Sequence, residues 1–467
     1  MSALHLPTSD FRTLTDRMSG LAADLLESLA ERPAFPRVTG EAVARALEAA
    51  LPEEGLGASA LDVLTEIIAL SRPPGPRFFG YVLGSGEPVA AATDLLVSVL
   101  NQNVTAWRSA PAAVTLERQL VRALAAVLGC DGFGGSFCGG GSMANLMGLA
   151  MAREAHLPAN QWGAQPGVVY ASSEVHVSIP KAMALLGLGR DSLRLVGTGD
   201  DYRMSPGLLR AALLADRDAG RTPFAVVATA GTVNTGAIDP LADIAAVCRE
   251  HHLWLHVDGA YGGLAALAVP ERFTGLNAAD SLSLDPHKWL YQPLDCSLLL
   301  YRDAAAARTA FSNSADYTKP LSNDPLEGFA FFDESFELSR RFRALKLWLS
   351  LRYHGLGAFR AAIRADLRHA QQLAEDVART PALELLAPVT LSAVCFRLRY
   401  EGSPEQANRL NAAILARLIE RGRVYLSNAT LEGCFALRAC FVNHRTTEAD
   451  VAAIVPEVLA AADEVTH

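Results

Sequence analysis

The sequence predicts an α/β protein with a mostly parallel central sheet and helices on both faces. Through the middle of the chain, short apolar runs typical of buried strands alternate with amphipathic helical runs. Parallel strands need helical crossovers that cover the sheet, so the strands themselves are apolar on both sides. Half of the 467 residues are hydrophobic and only 19% are charged, which is enough apolar material for a large core.

The chain is longer than one hydrophobic core usually supports, and its patterns divide it into three parts. Residues 1–85 carry amphipathic helical patterns and close with the Pro- and Gly-rich stretch SRPPGPRFFGYVLGSG. Residues 86–372 hold the alternating strands and helices and are expected to form the large domain. A long helix over roughly 341–379, interrupted near YHGLGAF, leads into residues 373–467, where shorter mixed segments predict a small α+β domain.

Charge and targeting signals exclude several classes of protein. The net charge is −9 without long like-charge runs, which argues against nucleic acid or an anionic membrane as a partner. No signal peptide is evident, and no apolar run reaches the length of a membrane span. The seven cysteines form no Cys-x-x-Cys pair, and no spacing indicates a metal site. We therefore expect a cytoplasmic protein with reduced thiols.

Polar and charged side chains come directly after three of the predicted strands. Gly231 and Thr232 come after VVATA, and Asp258 comes after LWLHV. The run Asp-Pro-His-Lys, residues 285–288, comes after SLSL. In open α/β sheets, ligands bind at the carboxyl ends of the strands. These side chains are therefore expected to meet at one site.

A glycine-rich loop opens a predicted helix in GFGGSFCGGGSMANLMGLAMAREA. Gly140 and Gly141 lead into a helix that starts near Ser142. Such a loop presents backbone N–H groups and a helix N-terminus to an anion. It matches neither a Walker A loop nor a dinucleotide-binding fingerprint. A glycine run can also form an ordinary tight turn, but beside the strand ends it predicts a phosphate site.

Lys288 is unusual because the chain has only four lysines among its 41 basic residues. Lys288 lies between two apolar runs, whereas the protein mostly uses arginine where charge alone is needed. A buried amine loses its proton more easily, and the neutral amine is a nucleophile for carbonyl compounds. The alternative is a lysine whose charge reaches water from a strand end.

An amine, a carboxylate and a phosphate cradle are the groups that hold pyridoxal phosphate. Lys288 would form a Schiff base with the aldehyde of the cofactor. Asp258 would keep the pyridine nitrogen protonated, so that the ring accepts electrons from a breaking bond. By residue type, His176 is a candidate for the flat group that covers one face of the ring, although spacing alone does not place it.

Ordered motifs give nearly the whole chain a resemblance to a known family. They are PRFFGYV, NQNVTAWRSAPAAVTLE, CGGGSMANL, SSEVHVSIPKA, ATAGTVNTGAIDPL, LWLHVDGAYGG, DPHKWL, LSRRFRALKLWL and LRACFVNHRTTEAD. With these motifs the sequence resembles the group II pyridoxal-phosphate-dependent amino acid decarboxylases of fold type I, which include the aromatic-L-amino-acid and glutamate decarboxylases. The resemblance implies an amino acid substrate and a homodimer with the active site at its interface, clasped by the N-terminal helices.

The resemblance implies four contacts with the cofactor ring. Lys288 is the Schiff-base lysine, Asp258 pairs with the ring nitrogen, and Ala260 packs beneath the ring. His176 stacks on the other face and helps to deliver a proton. The alternative for Asp258 is a helix N-cap, but its position at a strand end favours the cofactor role. Without the resemblance, His176 would be interpreted as an ordinary core or surface histidine.

Five further residues are implied around the phosphate and the ring hydroxyl. Gly140, Gly141 and Ser142 hold the phosphate, and His287 lies close to it. Thr232 lies near the ring hydroxyl. The alternatives are a turn with a helix cap for the glycine loop, ordinary turn chemistry for Thr232, and a structural neighbour of the lysine for His287.

The chain departs from the family on one loop. Aromatic amino acid decarboxylases carry a tyrosine there, supplied across the dimer, which protonates the substrate carbon after CO2 leaves. The matching loop spans roughly 312–339, and the matching position is Phe331 or Glu334, depending on the subgroup. No tyrosine occurs between Tyr317 and Tyr353. Either another group provides the proton, or the loop alignment is displaced.

The resemblance leaves three functions open. The first is decarboxylation of an L-amino acid, an aromatic one by preference, to the amine and CO2. Phe79, Tyr81 and Trp107 lie in segments that line the substrate pocket in relatives, although they could equally be core residues. The second function is decarboxylation with a subsequent reaction with oxygen, which yields an aldehyde. The third is a catalytically silent binding protein with this cofactor fold, and the joint retention of the three proposed catalytic groups argues against it.

Overall fold

The chain is organised around two sheets, one of seven strands and one of four. A computed structural model of the protein describes residues 4–313 and 324–466. Three helices precede the sheets: α1 (Thr8–Ser28), α2 (Gly40–Leu47) and α3 (Val63–Leu70). These helices contain no buried residue within the described chain, so their apolar faces remain open.

The seven-stranded sheet and its helices occupy the middle of the chain. In order, the elements are α4 (Pro88–Leu100), α5 (Pro111–Val127), β1 (Gly134–Cys138), α6 (Gly141–His156), β2 (Val168–Ser172), α7 (Ser178–Leu185), β3 (Leu193–Val196), α8 (Pro206–Asp218), β4 (Pro223–Thr229), α9 (Leu241–His251), β5 (Trp254–Gly259), β6 (Ser281–Leu284), β7 (Ser297–Tyr301) and α10 (Ala304–Phe311). The strand order is β1-β7-β6-β5-β4-β2-β3, and β7 is antiparallel to both of its neighbours. The other neighbouring pairs are parallel, which confirms the predicted sheet.

The central strands are buried on both faces, as their apolar runs predict. All residues of β5 and β6 are buried. The predicted strand end at residue 257 differs from the structure, because β5 continues to Gly259. Asp258 is still in the ladder, where it pairs with Ser283 of β6. By contrast, β4 ends at Thr229, so Gly231 and Thr232 lie beyond it.

A long helix, α11 (Arg343–Arg379), packs in the core of the first sheet with its first part and in the core of the second with its last part. Gly355 interrupts it with a φ of 77°, close to the predicted break. The predicted domain boundary after residue 372 lies within α11, and the three-part division stays a prediction.

The second sheet is antiparallel and has the strand order β10-β11-β9-β8. Its elements are β8 (Leu383–Leu385), β9 (Ala393–Leu398), α12 (Pro404–Arg421), β10 (Ser427–Leu431), β11 (Cys434–Cys440), α13 (Glu448–Ala452) and α14 (Ile454–Thr466). This arrangement confirms the predicted small α+β unit. In the ranges described, no helix combines the length and apolarity that crossing a membrane requires.

Candidate active site

A cavity of about 290 Å³ lies at the carboxyl ends of β4, β5 and β6. Eight residues with a predicted role at the site line it: Gly140, Gly141, Ser142, His176, Asp258, Ala260, His287 and Lys288. Gly231, also expected at a strand end, lines the cavity too. Its wall also contains Asn145, Thr229, Tyr261 and Asp285. The sheet therefore brings together the glycine loop, the carboxylate and the lysine, as the strand ends predict.

Asp258 is held in one orientation by three donors. Its Oδ2 accepts from Asn145 Nδ2 at 2.9 Å. Its Oδ1 accepts from Ser283 Oγ at 3.1 Å and from the backbone N–H of Ala260 at 3.1 Å. Since Asp258 lies inside β5 and is 5% exposed, the helix N-cap alternative does not apply.

Lys288 has a carboxylate partner, which the sequence pattern did not predict. Its Nζ lies 2.9 Å from Asp285 Oδ2, and its side chain is only 19% exposed. Asp285 is 2% exposed and also accepts from Ser297 Oγ at 2.6 Å. The amine is therefore buried, but in a polar cluster rather than in the apolar setting expected from the flanking runs.

The tautomer of His176 is determined by its hydrogen bonds. Its Nδ1 is 2.8 Å from Ser178 Oγ and accepts from the backbone N–H of Ser178 at 3.2 Å. A backbone N–H can only donate, so Nδ1 carries no proton and the neutral ring has its proton on Nε2. Burial lowers the pKa of His176, against the attraction of Asp258. The neutral form therefore persists to a pH below the usual histidine range.

The glycine loop leaves the start of α6 open for an anion. Gly140 has a φ of 142°, which disfavours a side chain. A Cβ on Gly141 would lie 2.8 Å from Asp285 Oδ2 and 2.9 Å from Ala260 Cβ, so glycine is required there. In the described part of the chain, no side chain caps α6. The first N–H groups and the helix dipole are thus available to a phosphate.

His287 and Thr232 differ in their relation to the cavity. His287 lines it, its Nδ1 donates to the carbonyl of Cys296 at 2.8 Å, and burial lowers its pKa. Thr232 is fully buried, and its hydroxyl bonds to Thr235 Oγ1 at 2.9 Å and accepts from the N–H of Ala237 at 3.1 Å. The hydroxyl of Thr232 thus stabilises the turn that contains it. The contact of Thr232 with the ring hydroxyl of the cofactor stays a prediction.

The predicted pocket aromatics do not line the cavity of their own chain. Phe79 is 1% exposed and packs in the core of the four-stranded sheet, so in this chain it is a core residue and not a pocket residue. Tyr81 is 53% exposed, and its hydroxyl lies 3.0 Å from that of Tyr425. Trp107 donates from Nε1 to Thr115 Oγ1 at 3.1 Å. Their contact with substrate stays a prediction.

Phe331 is buried away from the cavity of its own chain. It is fully enclosed, with the guanidinium of Arg340 4.0 Å from the centre of its ring. Being apolar, it supplies no proton. Residues 314–323, which belong to the predicted loop, lie outside the described residues.

Glu334 is likewise committed to contacts within its own chain. It is 4% exposed, and its two oxygens accept from the hydroxyl of Tyr301 at 2.6 Å and from Arg308 Nη2 at 2.6 Å. Both oxygens therefore have a donor already. Neither position aligned with the family tyrosine presents an acid to the cavity of its own subunit.

Sequence reasoning missed the side chains that hold Asp258, His176 and Lys288 in place. Asn145, Ser178 and Ser283 contact Asp258 or His176, and Asp285 contacts Lys288. Asn145 could have been found, because it lies one helical turn after Gly141, on the face of α6 that starts at the glycine loop. The other partners depend on how strands and helices meet in space. Across the described ranges, no group of three or more His, Cys, Asp and Glu residues is suited to a metal.

The residues of the cavity fit pyridoxal phosphate. Lys288, which is largely buried, would supply the amine that condenses with the aldehyde of the cofactor. The fixed carboxylate of Asp258 would suit a protonated ring nitrogen. The close packing of Gly141 against Asp285 and Ala260 requires glycine there, and it leaves the first backbone N–H groups of α6 at the cavity for phosphate oxygens. This donor set matches the cofactor in charge and in kind.

Comparison with known proteins gives the same assignment. The model of the pyridoxal-dependent decarboxylase conserved domain matches residues 46–399. The aromatic-L-amino-acid decarboxylase of Bacillus atrophaeus is 33% identical, over 99% of this chain and 97% of that protein. The 4-hydroxyphenylacetaldehyde synthase of Rhodiola rosea is 32% identical, over 90% of this chain and 88% of that protein. The crystal structure of Oryza sativa TDC with PLP and tryptamine matches with a TM-score of 0.92 and 29% identity, over 100% of both chains.

The family match spans most of the chain, and the similar proteins cover it almost from end to end. The cavity also contains the lysine, the carboxylate and the phosphate cradle that the cofactor requires. The protein therefore belongs to the pyridoxal-dependent decarboxylase family, with pyridoxal phosphate as its cofactor and amino acid decarboxylation as its reaction.

Proposed function

We propose that the protein decarboxylates an aromatic L-amino acid to the corresponding amine and CO2. The observation that carries the proposal is the convergence of Lys288, Asp258 and His176 on one cavity beside the glycine loop. The aromatic preference is supported by the 33% identity with the decarboxylase of Bacillus atrophaeus. A silent binding protein would have no need of all three groups.

Bound pyridoxal phosphate supplies an aldehyde that condenses with amines and a conjugated ring that takes up the electrons of the breaking bond. In our proposal, Lys288 holds the aldehyde until substrate arrives, and Asp258 bonds to the ring nitrogen. Gly140, Gly141 and Ser142 donate backbone N–H groups to the phosphate, and Ala260 packs against the ring. These residues bind and orient the reacting groups before the bond to CO2 breaks.

In the described part of the site, His176 is the best-supported group for presenting an N–H to the reacting centre. Its neutral ring carries a proton on Nε2, because Nδ1 accepts from the backbone of Ser178. The same ring is a flat group suited to cover the cofactor. Neither Phe331 nor Glu334 offers a comparable proton to this cavity.

Lys288 is expected to bind the cofactor covalently. Reduction of the holoenzyme with borohydride and subsequent peptide mapping should label Lys288. Lys346 is an internal control: its side chain is 1% exposed and its Nζ is bound to Asp94 at 3.1 Å, so it is also paired with a carboxylate, more deeply buried than Lys288 and outside the cavity. The label should vanish in Lys288→Ala. Label on Lys346, Lys181 or Lys319 instead would end the assignment.

Replacing Asp258 by Ala should leave the lysine adduct intact but remove the charge that stabilises the protonated ring nitrogen. We expect kcat to fall by roughly 10²–10³-fold, the effect typical of losing one preorganised electrostatic group. Asp239→Asn is the matched control, since Asp239 is a buried carboxylate whose oxygens accept from the backbone N–H groups of Met204 and Thr229. The control should lower thermal stability and keep turnover. Near-normal kcat in Asp258→Ala would refute the role.

A second function, aldehyde formation, is favoured by one observation: an apolar, buried Phe331 stands where the family tyrosine is expected. Loss of one general acid costs about 10²–10⁴-fold in protonation rate, which leaves time for oxygen to react. The overall reaction consumes one O2 and one water for each amino acid, and it releases aldehyde, CO2, ammonia and hydrogen peroxide. The similar protein of Rhodiola rosea is a 4-hydroxyphenylacetaldehyde synthase, which supports an aldehyde product as the alternative.

Product partition separates the two functions. In air, we expect aldehyde and peroxide alongside the amine, and under nitrogen the amine alone. Phe331→Tyr adds a hydroxyl at the aligned position, and a shift of the products towards amine would show that this position serves a cavity despite its burial within its own chain. Phe331→Leu, which changes the side chain without adding a hydroxyl, should not shift the products. Amine as the only product in air, unchanged by Phe331→Tyr, would mean that another acid compensates fully.

A homodimer is supported by apolar surface that one chain leaves uncovered. No residue of α1, α2 or α3 is buried within the described chain. On α4, the side chains of Leu96 and Val99 are 53% and 58% exposed. A second copy would cover both surfaces, in line with the expected clasp of the N-terminal segment 1–85.

Light scattering should give a mass of about twice the 49.7 kDa of one chain. Leu96→Asp with Val99→Asp should shift the protein towards the monomer, because charges on this face lose their hydration when the partner binds. Leu208→Asp on α8 is the control, since Leu208 is similarly exposed, at 52%, on a different helix. An active wild-type monomer would contradict the dimer.

A cytoplasmic location is the part of the proposal that rests on the thiols. All seven cysteines are free, and six of them are buried. A protein of this size folded in an oxidising compartment commonly carries disulfides. The unpaired cysteines therefore favour a reducing compartment.

A further inference from the structure

Asn145 connects two side chains proposed to contact the cofactor ring. It bonds to Asp258 directly and to Ser178, which in turn bonds to His176. It is 1% exposed. Its Nδ2 donates to Asp258 Oδ2 and to Ser178 Oγ, each at 2.9 Å. Its Oδ1 is 2.9 Å from His256 Nε2. Both N–H bonds and the carbonyl oxygen of this amide are therefore in use.

Hydrogen bonds connect Asn145 through His256 and Ser281 to Trp254, and each of them can be assigned a donor and an acceptor. An indole N–H can only donate, so Trp254 Nε1 donates to Ser281 Oγ at 2.9 Å. The hydroxyl of Ser281 donates to His256 Nδ1 at 2.8 Å, because His256 Nε2 must donate to Asn145 Oδ1 and the neutral ring has only one N–H. His256 thus carries its proton on Nε2, and burial lowers its pKa to about 4, which keeps the ring neutral.

The amide of Asn145 continues this order in two branches. A carboxylate only accepts, so the group facing Asp258 is the Nδ2 amide, and Oδ1 faces the N–H of His256. One branch ends at Asp258. In the other, Ser178 Oγ accepts from Asn145 and donates its own hydrogen to His176 Nδ1. The second branch therefore leaves the proton of His176 on Nε2.

We propose that Asn145 is a positioning residue that fixes the orientation of Asp258 and, through Ser178 Oγ, reinforces the tautomer of His176 that the backbone N–H of Ser178 sets. The inference rests on the proposed roles of Asp258 and His176 and adds the group that couples them. The amide of Asn145 thus orients the carboxylate of Asp258 towards the expected position of the ring nitrogen. Through Ser178, it also orients the imidazole of His176, which is expected to cover one face of the ring. Ser281 and His256 hold the amide in the required orientation.

Asn145→Ala tests the branch to Asp258 through cofactor affinity. Losing a hydrogen bond to a charged group should raise the dissociation constant of pyridoxal phosphate by about 10- to 100-fold, measured as cofactor released from the diluted holoenzyme. Asn411→Ala is the matched control. Asn411 is also fully buried, and like Asn145 it donates two hydrogen bonds and accepts one. It donates to the carbonyls of Leu398 and Ala407 and accepts from the N–H of Leu398.

Ser178→Ala tests the other branch through the pH profile. The charged groups that act on His176 are Asp258, Lys288, Asp285 and Lys181. Removing the Oγ donor from Nδ1 favours the protonated ring, so the pKa of His176 should rise. The acid limb of kcat/KM should therefore move to higher pH. The dissociation constant of the cofactor should stay within about twofold, because Asn145 still holds Asp258.

The combined pattern decides the proposal. Asn145→Ala should change both cofactor affinity and the acid limb, Ser178→Ala only the acid limb, and Asn411→Ala neither, although it lowers the melting temperature. If Asn145→Ala resembled Asn411→Ala in all three measurements, the positioning role would be refuted. If Asp258→Ala itself kept normal affinity and turnover, the proposed function of Asp258 would fail instead, so the two failures are distinguishable.

Discussion

The parallel pairing of β5 with β6 is the constraint on which the site depends. It sets Asp258 opposite Ser283, so that a hydroxyl from the neighbouring strand fixes one carboxylate oxygen. The same pairing ends β6 at Leu284, and the turn after this strand carries Asp285 and Lys288 into the cavity. A shift of one residue would turn Asp258 to the other face of the sheet. Both strands are fully buried, and such a shift would bury polar groups in the core.

Around this pairing, the site is built from polar groups that have lost contact with water. Asp258, Asp285 and Asn145 are each at most 5% exposed. Burial of this kind costs free energy unless every polar atom finds a partner. Here the partners are hydroxyls, amides and one ammonium, most of them contributed by different elements. Their mutual satisfaction fixes each group in one orientation before any ligand binds, which is how a site avoids reorganisation during the reaction.

The sheet, the glycine loop and the three strand-end groups were predictable because each depends on a local pattern. Apolar runs mark buried strands, and the residues directly after a parallel strand must lie at the ligand-binding edge of the sheet. The partners of these groups were not predictable, because they depend on distances across the fold. The apolar runs beside Lys288 gave no sign of its contact with Asp285. Likewise, the motif around Phe79 did not reveal that this ring packs in the core of the other sheet.

The tautomer of His176 shows how a distant residue can determine chemistry in the cavity. An imidazole with a free choice of tautomer would present either a donor or a lone pair at Nε2. In this protein the choice is made by groups whose roles cannot be reversed: the backbone N–H of Ser178, which only donates, and the carboxylate of Asp258, which only accepts. Because each link accepts on one side and donates on the other, reversing one would leave a buried donor or acceptor unpaired. The proton on Nε2 of His176 is thus fixed by the fold itself, and it is available on the side of the ring that these bonds leave free.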